Sequence, residues 1–388
     1  MNPRRLRAIT RRIIDQFRRD PRTLGLIFVV PIAITALLGW VLRDQQVVPA
    51  RVAVVDLDQT AGGRLAAAIR SAATAGGLEL VEGLADERAA RDALAGDRAD
   101  VVVVIPPGFG ASLASGATAT LTIATQGADP LADGSKVGQL QQAIGTALLG
   151  LSPGAAPRLA FARETVFLSP DADVLDALAP VFIGYFGYFF VFILTGISFL
   201  RERIGGTLER LLATPITKPE IVLGYSLGFG IFATLQVIVL LTFVLMRLDV
   251  PALGPLPSFT IGLDVPIAGS PLLAFVLALL LALGAVNLGI FLSTFARTEL
   301  QILQFIPIVI VPQGLLSGIF WPVDSLPAVL QPVARVLPLT YAVEALRDVM
   351  IRGHDLSAAG VQLAIIVLAA IAALFVALAA ATIRREVA

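Results

Sequence analysis

Residues 178–216 read LAPVFIGYFGYFFVFILTGISFL-RERIGGTLERLLATPI. The first 23 residues carry no charge; the next ten carry five. A helix needs about 20 apolar residues to cross about 30 Å of hydrocarbon. Leu178–Leu200 therefore reads as a membrane span, and the arginines after it as its cytoplasmic flank.

Working outward, five more runs qualify: Leu24–Leu42, Ile221–Met246, Pro271–Phe295, Leu300–Phe320 and Val361–Ile383. Composition agrees. Of 388 residues 56% are hydrophobic and 15% charged, against roughly a quarter charged in soluble domains. The run 24–42 is too long for the core of a signal peptide, and no small-x-small cleavage site follows Trp40. With no cysteine and one histidine, His354, disulfides, thiolate nucleophiles and multi-histidine metal sites are excluded.

Basic residues set the orientation. The first 23 residues hold eight arginines, residues 201–220 hold Arg201, Arg203, Arg210 and Lys218, and the tail ends Arg384-Arg385. These fall on one side if all six helices cross, so both termini are expected in the cytoplasm. In the N-terminal arm, 1–23, Leu6, Ile9, Ile13, Ile14 and Phe17 form an apolar stripe among arginines. That is the pattern of an interfacial helix held by anionic lipid.

The segment 43–177 alternates strand-like and helical runs. Arg51–Asp58 reads as a strand, Gly63–Ala75 as a helix, Leu78–Glu82 as a strand and Asp86–Ala95 as a helix. Asp100–Ile105 and Thr118–Thr125 follow as strands, then Leu131–Leu149 as a helix. This predicts an extracytoplasmic α/β domain with a largely parallel sheet. The fold class is thus a polytopic α-helical membrane protein: six transmembrane helices, an inserted α/β domain, and re-entrant helices before the last span. The re-entrant reading of 321–360 rests on prolines at 307, 312, 322, 327, 332 and 338, which leave no continuous span there.

In 201–220 a short helix begins near Thr207, read as its N-cap, and stops before Pro215. Leu208, Leu211 and Leu212 share one face, with Glu209 and Arg210 beside it. Such a helix is shaped to dock in a partner's groove; an ordinary polar connector is the alternative. Arg203 is read as lying on the solvated approach.

The run Arg201–Ile216, including Glu202, resembles the cytoplasmic signature of ABC-2 type transporter permeases. A second stretch resembles the family's segment between its last two helices: Ser317-Gly318-Ile319-Phe320-Trp321-Pro322, Leu326-Pro327 and Leu337–Arg347, with Pro338, Tyr341, Glu344 and Arg347. Asn287-Leu288-Gly289 is a weaker match. The resemblance implies a membrane subunit of a drug- or lipid-exporter-like complex in the bacterial inner membrane. It would work as a homo- or heterodimer with separate cytoplasmic ATPase chains that bind Mg-ATP, and it has no catalytic residue, cofactor or metal of its own and no nucleic-acid partner. No G-x-x-x-x-G-K-[ST] loop occurs in the sequence.

Two other signals remain. Asp56-Leu57-Asp58-Gln59-Thr60 resembles the first motif of haloacid-dehalogenase-type phosphatases, with Lys136 as the lysine of the domain. A strand followed by a helix cap explains the same residues. The second reading of function is a membrane-anchored extracytoplasmic phosphohydrolase using Asp56 and Asp58, and the third a non-transporting receptor or scaffold. Gln236, Asn287, Gln301, Gln304 and Gln313 are polar residues inside the spans, expected either to pack helices or to line a substrate path.

Overall fold

A computed structural model of the chain describes residues 49–58, 62–84, 86–128, 130–151, 159–168, 174–213, 215–251 and 258–383. The N-terminal arm, the run 24–42, Thr60, Thr214 and the tail 384–388 lie outside the described residues.

The first part is a five-stranded sheet of order β2-β1-β3-β4-β5. Its strands are β1 (Arg51–Asp56), β2 (Glu79–Leu80), β3 (Val101–Ile105), β4 (Ala119–Thr125) and β5 (Leu159–Thr165). Helix α1 (Gly62–Ala75) joins β1 to β2, and α2 (Glu87–Ala95) joins β2 to β3. Because β2 and β3 flank β1, these two crossovers cover opposite faces. On one face Val52, Val54, Val101, Val103, Leu121 and Ile123 pack against α1 and α4 (Pro130–Leu151). On the other, Ala53, Val55, Val102 and Val104 pack against Ala90, Ala93 and Leu94 of α2. The continuous valine run of β3 is therefore buried on both sides.

One pairing departs from the largely parallel expectation: β3 and β4 are antiparallel, while β1–β2, β1–β3 and β4–β5 are parallel. The β3–β4 connection carries only the six-residue helix α3 (Phe109–Ala114). That helix is only about 9 Å long, shorter than the strands it joins, so it does not carry the chain back to the start of the sheet for a parallel return.

The second part is a helical bundle. Among the described residues five helices are long and apolar enough to cross a membrane: α5 (Val174–Ile204), α7 (Lys218–Leu245), α8 (Pro271–Ser293), α9 (Glu299–Leu316) and α12 (Ala359–Thr382). Uncharged α8 is buried on nearly every side, against α5, α7, α11 (Pro338–Met350) and α12, as an all-round apolar helix should be. Gly289 lets α8 meet α5 backbone to backbone. A Cβ there would sit 3.0 Å from the Phe192 carbonyl and 3.1 Å from the Gly196 nitrogen. Leu227, Ile231, Phe232 and Leu235 of α7 and Leu363 and Ile366 of α12 point outward. A short hairpin, β6 (Leu248–Val250) with β7 (Phe259–Ile261), links α7 to α8.

The fifth span is shorter than the run Leu300–Phe320 predicts. α9 stops at Leu316, capped by Ser317, whose hydroxyl donates to the Gln313 carbonyl, and Gly318 turns away with positive φ. Phe320 and Trp321 leave the helix. A 3-10 turn (Val323–Ser325), the four-residue α10 (Gln331–Ala334) and then α11 follow. At 13 residues α11 is about 20 Å long, too short to span. It is nevertheless buried against α5, α8, α9 and α12.

Candidate functional site

The short helix after α5 is α6 (Thr207–Leu212). Its N-cap is Gly206, not Thr207. Gly206 sits at φ 71°, where a residue without Cβ is favoured, and Thr207 is already helical and exposed. Leu208 and Leu212 are only 4% and 7% exposed, turned into the chain's own core, and Leu211 is half-buried. The leucine face is thus an anchor within this chain. What α6 offers outward is Thr207, Glu209, Arg210 and Ala213, with Pro215 exposed after it and the apolar Ile204 and Ile216 exposed on either side.

Beside α6 lies a cleft of about 420 Å³, lined by Arg203, Ile204, Leu208, Glu209, Leu212, Ala296 and Arg297. Its far wall is the turn from α8 to α9. The last turn of α5 holds that turn in place. Arg203 is not solvated as its sequence context suggests: its Nη1 donates to the carbonyls of Ser293 and Ala296, the latter at 3.1 Å. Both carbonyls lie beyond the i to i+4 ladder of α8; that of Ser293 also accepts from the Ala296 amide at 3.2 Å. Arg201 makes a two-pronged pair with Glu299 in the first turn of α9, Nε to Oε1 at 2.7 Å and Nη2 to Oε2 at 3.1 Å. Between them Leu200, Ala296 and Ile302 form a small closed core with Ile197 and Phe305. Glu202 points the other way and accepts from the Tyr225 hydroxyl at 3.2 Å.

The polar residues of the spans do not converge. Gln301 belongs to the first turn of α9, not to mid-span, and its Oε1 accepts from the Arg297 amide at 2.7 Å. Gln304 is half-buried one turn further. Asn287 is buried in α8 and donates to the Leu283 carbonyl at 2.8 Å. Gln236 reaches the Phe186 carbonyl at 3.4 Å. Gln313 lies about 18 Å along α9 from Gln301, and its Oε1 accepts from the Leu339 amide at 3.1 Å, capping α11. The Gln236 and Gln313 bonds tie helix to helix and the Gln301 bond ties turn to helix, while the Asn287 bond stays within α8.

The proline-rich segment is held from α11. Arg347 is 3% exposed and donates to the carbonyls of Gly318, at 3.1 Å, and Ile319, closing the end of α9. Glu344 and Asp348 both pair with Arg352, at 2.8 and 2.6 Å. The Tyr341 hydroxyl donates to the Arg335 carbonyl at 2.7 Å. Pro338 opens α11, where a missing amide costs nothing. Pro322 caps the 3-10 turn, and the carbonyl of Pro327 accepts from the Leu330 amide at 2.7 Å.

The D-x-D run sits at the carboxyl end of β1. Asp58 is buried and its Oδ2 accepts from the Gly110 amide at 2.6 Å, capping α3; its own amide donates to Asp56 Oδ1 at 3.0 Å. The helix it caps is α3, not the one that follows it in the chain. Lys136 is at the other end of the sheet, 2.8 Å from Asp100, and Asp100 pairs with Arg51 at the start of β1. Five strand residues, roughly 17 Å, separate Asp56 from that end, so the lysine does not serve the aspartates. Burial pushes the Asp100 carboxyl up, but bonds from Arg51 and Lys136 outweigh it and hold it at about 2.

A bundle entered through a polar signature helix, with a buried proline-rich return before the last span, agrees with the comparison to known families. The model of the ABC-2 family transporter proteins matches residues 21–381. The chain belongs to that family. Among curated relatives, the probable multidrug ABC transporter permease YbhR of Escherichia coli is 24% identical over 91% of both chains. ABC transporter G family member 20 of Dictyostelium discoideum is 31% identical over 50% of this chain but only 24% of its own length. The linearmycin resistance permease protein LnrN of Bacillus subtilis is 27% identical over 40% of this chain and 36% of its own. No solved structure matches. As a member of this family the chain is a multi-pass membrane protein and a transporter permease, not itself a catalytic enzyme.

Proposed function

We propose that this chain is the membrane subunit of an ATP-driven exporter, paired with a second permease half and two cytoplasmic ATPase chains that carry the Mg-ATP. In this reading residues 24–42 are a first span, both termini are cytoplasmic, and the domain at 43–177 lies outside a bacterial inner membrane. Residues 321–360 dip back from the outer face. Helix α6 is the ATPase contact. The observation that carries the reading is α6 itself: a two-turn helix isolated by Gly205-Gly206 and Pro215, rooted by Leu208 and Leu212, exposing Glu209, Arg210 and Ala213 beside an open cleft. The substrate is hydrophobic or amphipathic. The spans between Ala177 and Leu200 and from Pro271 to Phe295 carry no charge, and the relatives named for multidrug transport and linearmycin resistance support the same class.

The test is to purify the full chain in mild detergent and identify what accompanies it. An ATP-binding chain should co-purify, and Ala213→Arg, on the exposed side of α6, should release it. A permease that exports substrate with no ATP-binding chain attached overturns the reading.

A further inference from the structure

We infer that Arg203, with the Arg201–Glu299 pair, is the positioning element that carries movement of α6 into α9. The inference rests on α6 being the ATPase contact and names the next link. Three observations converge on it. Arg203 donates to the end of α8 and the turn after it, through the carbonyls of Ser293 and Ala296. Arg201, two residues earlier, grips the first turn of α9 through Glu299. The space between is closed by Leu200, Ala296 and Ile302, and Gly196 approaches so near that a Cβ there would lie 3.0 Å from Ile302 Cγ2.

The rest of α9 gives this junction its weight. Leu300, Leu303 and Ile308 are exposed, and among the described helices α9 packs chiefly on α5. A loosely surrounded helix follows whatever holds its base. The root of α6 and the base of α9 therefore move together, and the cleft between α6 and the Ala296–Arg297 turn keeps its width. An exposed ion pair alone stabilises little; here it fixes direction, while the carbonyl bonds and the small core supply rigidity.

Two measurements test this on the full chain in lipid nanodiscs. Spin labels on cysteines placed at Ala213 and Leu303 report the distance between α6 and α9 by pulsed electron resonance. The otherwise unsubstituted chain should give a narrow distribution. Arg203→Gln and Arg201→Glu should each broaden it, and the swap Arg201→Glu with Glu299→Arg should narrow it again. Equal widths in all four overturn the inference without the ATPase being involved. The second measurement uses the complex with its co-purified ATPase. Trapping with ATP and vanadate should shift the distance from Leu303 to a label at Leu227. In Arg203→Gln the ATPase should stay bound and hydrolyse ATP while the shift is lost, with partial return in Arg203→Lys. A full shift in Arg203→Gln overturns the inference. Loss of ATPase binding by the unsubstituted chain instead counts against the underlying function, and the first measurement then decides alone.

Discussion

Leu212→Asp separates two roles that α6 could give its leucines. Leu212 is 7% exposed and packs within the chain. Removing a buried leucine from its surroundings costs about 1.5–3 kcal/mol, and placing a carboxylate in an apolar pocket adds a penalty of about the same size. Together that is roughly 3–6 kcal/mol, set against a helix of six residues that has no stability on its own. At about 1.4 kcal/mol per decade, α6 should detach from the bundle on the order of a hundredfold or more of the time it does now. Amide exchange of residues 207–213, measured by mass spectrometry on the permease alone, should rise by that factor. The interior of α8 should keep its protection. ATPase recruitment should fall as well, because the helix is no longer presented. Ala213→Arg is the counterpart: exchange unchanged, recruitment lost. If Leu212→Asp leaves exchange in α6 unaltered while abolishing recruitment, Leu212 faces the partner after all and the anchoring argument is wrong.

Single cysteines at Ser71 and Leu356 should react with an impermeant maleimide on intact cells, and those at Ala213 and Arg297 should not; labelling of Ala213 from outside would reverse the orientation. Residues 45–169 expressed alone should melt cooperatively and lose stability in acid. The Asp100 carboxyl is held at about 2, below its ordinary 3.8, so its contribution of about 2 kcal/mol is complete above pH 4 and disappears as pH falls toward 2. Asp100→Asn should flatten denaturant-melt stability across that window, and an unchanged slope would show that the cluster is not linked to folding. Gln313→Leu should leave the buried Leu339 amide without its acceptor, at about 1–3 kcal/mol. Faster exchange at residues 338–343 is the expected sign, and unchanged protection there would mean that α11 is held by packing alone.

Several elements could be read from residues alone because their signal is local. The spans announce themselves by length and lack of charge. β1 and β3 fall on the runs Arg51–Asp58 and Asp100–Ile105, because a strand buried on both faces must be apolar throughout; β4 falls on Thr118–Thr125, where buried Leu121 and Ile123 alternate with Thr120 and Thr122. β5 was not legible: Leu159–Thr165 is a half-exposed edge strand, with no continuous run and no clean alternation. α3 was missed because six residues after Pro106-Pro107-Gly108 are too few for a period to show. α6 could be seen as an amphipathic helix, but amphipathicity says that an apolar face has a partner, not whether that partner is another chain or the helix's own bundle.

The sequence by itself determined the membrane class, the order of helices and sheet domain, and the family, since each depends on composition, period or motif along the chain. The tertiary structure decided what the charged and polar side chains do. Arg203 reads as one more cytoplasmic arginine until the carbonyls of Ser293 and Ala296, some ninety residues away, come within its reach. Arg347 closes α9 and Gln313 caps α11 in the same way, while Lys136 and Asp56 end at opposite ends of one sheet. Burial periods survive in sequence because every core residue obeys the same rule. A hydrogen bond between distant segments leaves no such trace, because the residue type that makes it is the same one that water would satisfy at the surface.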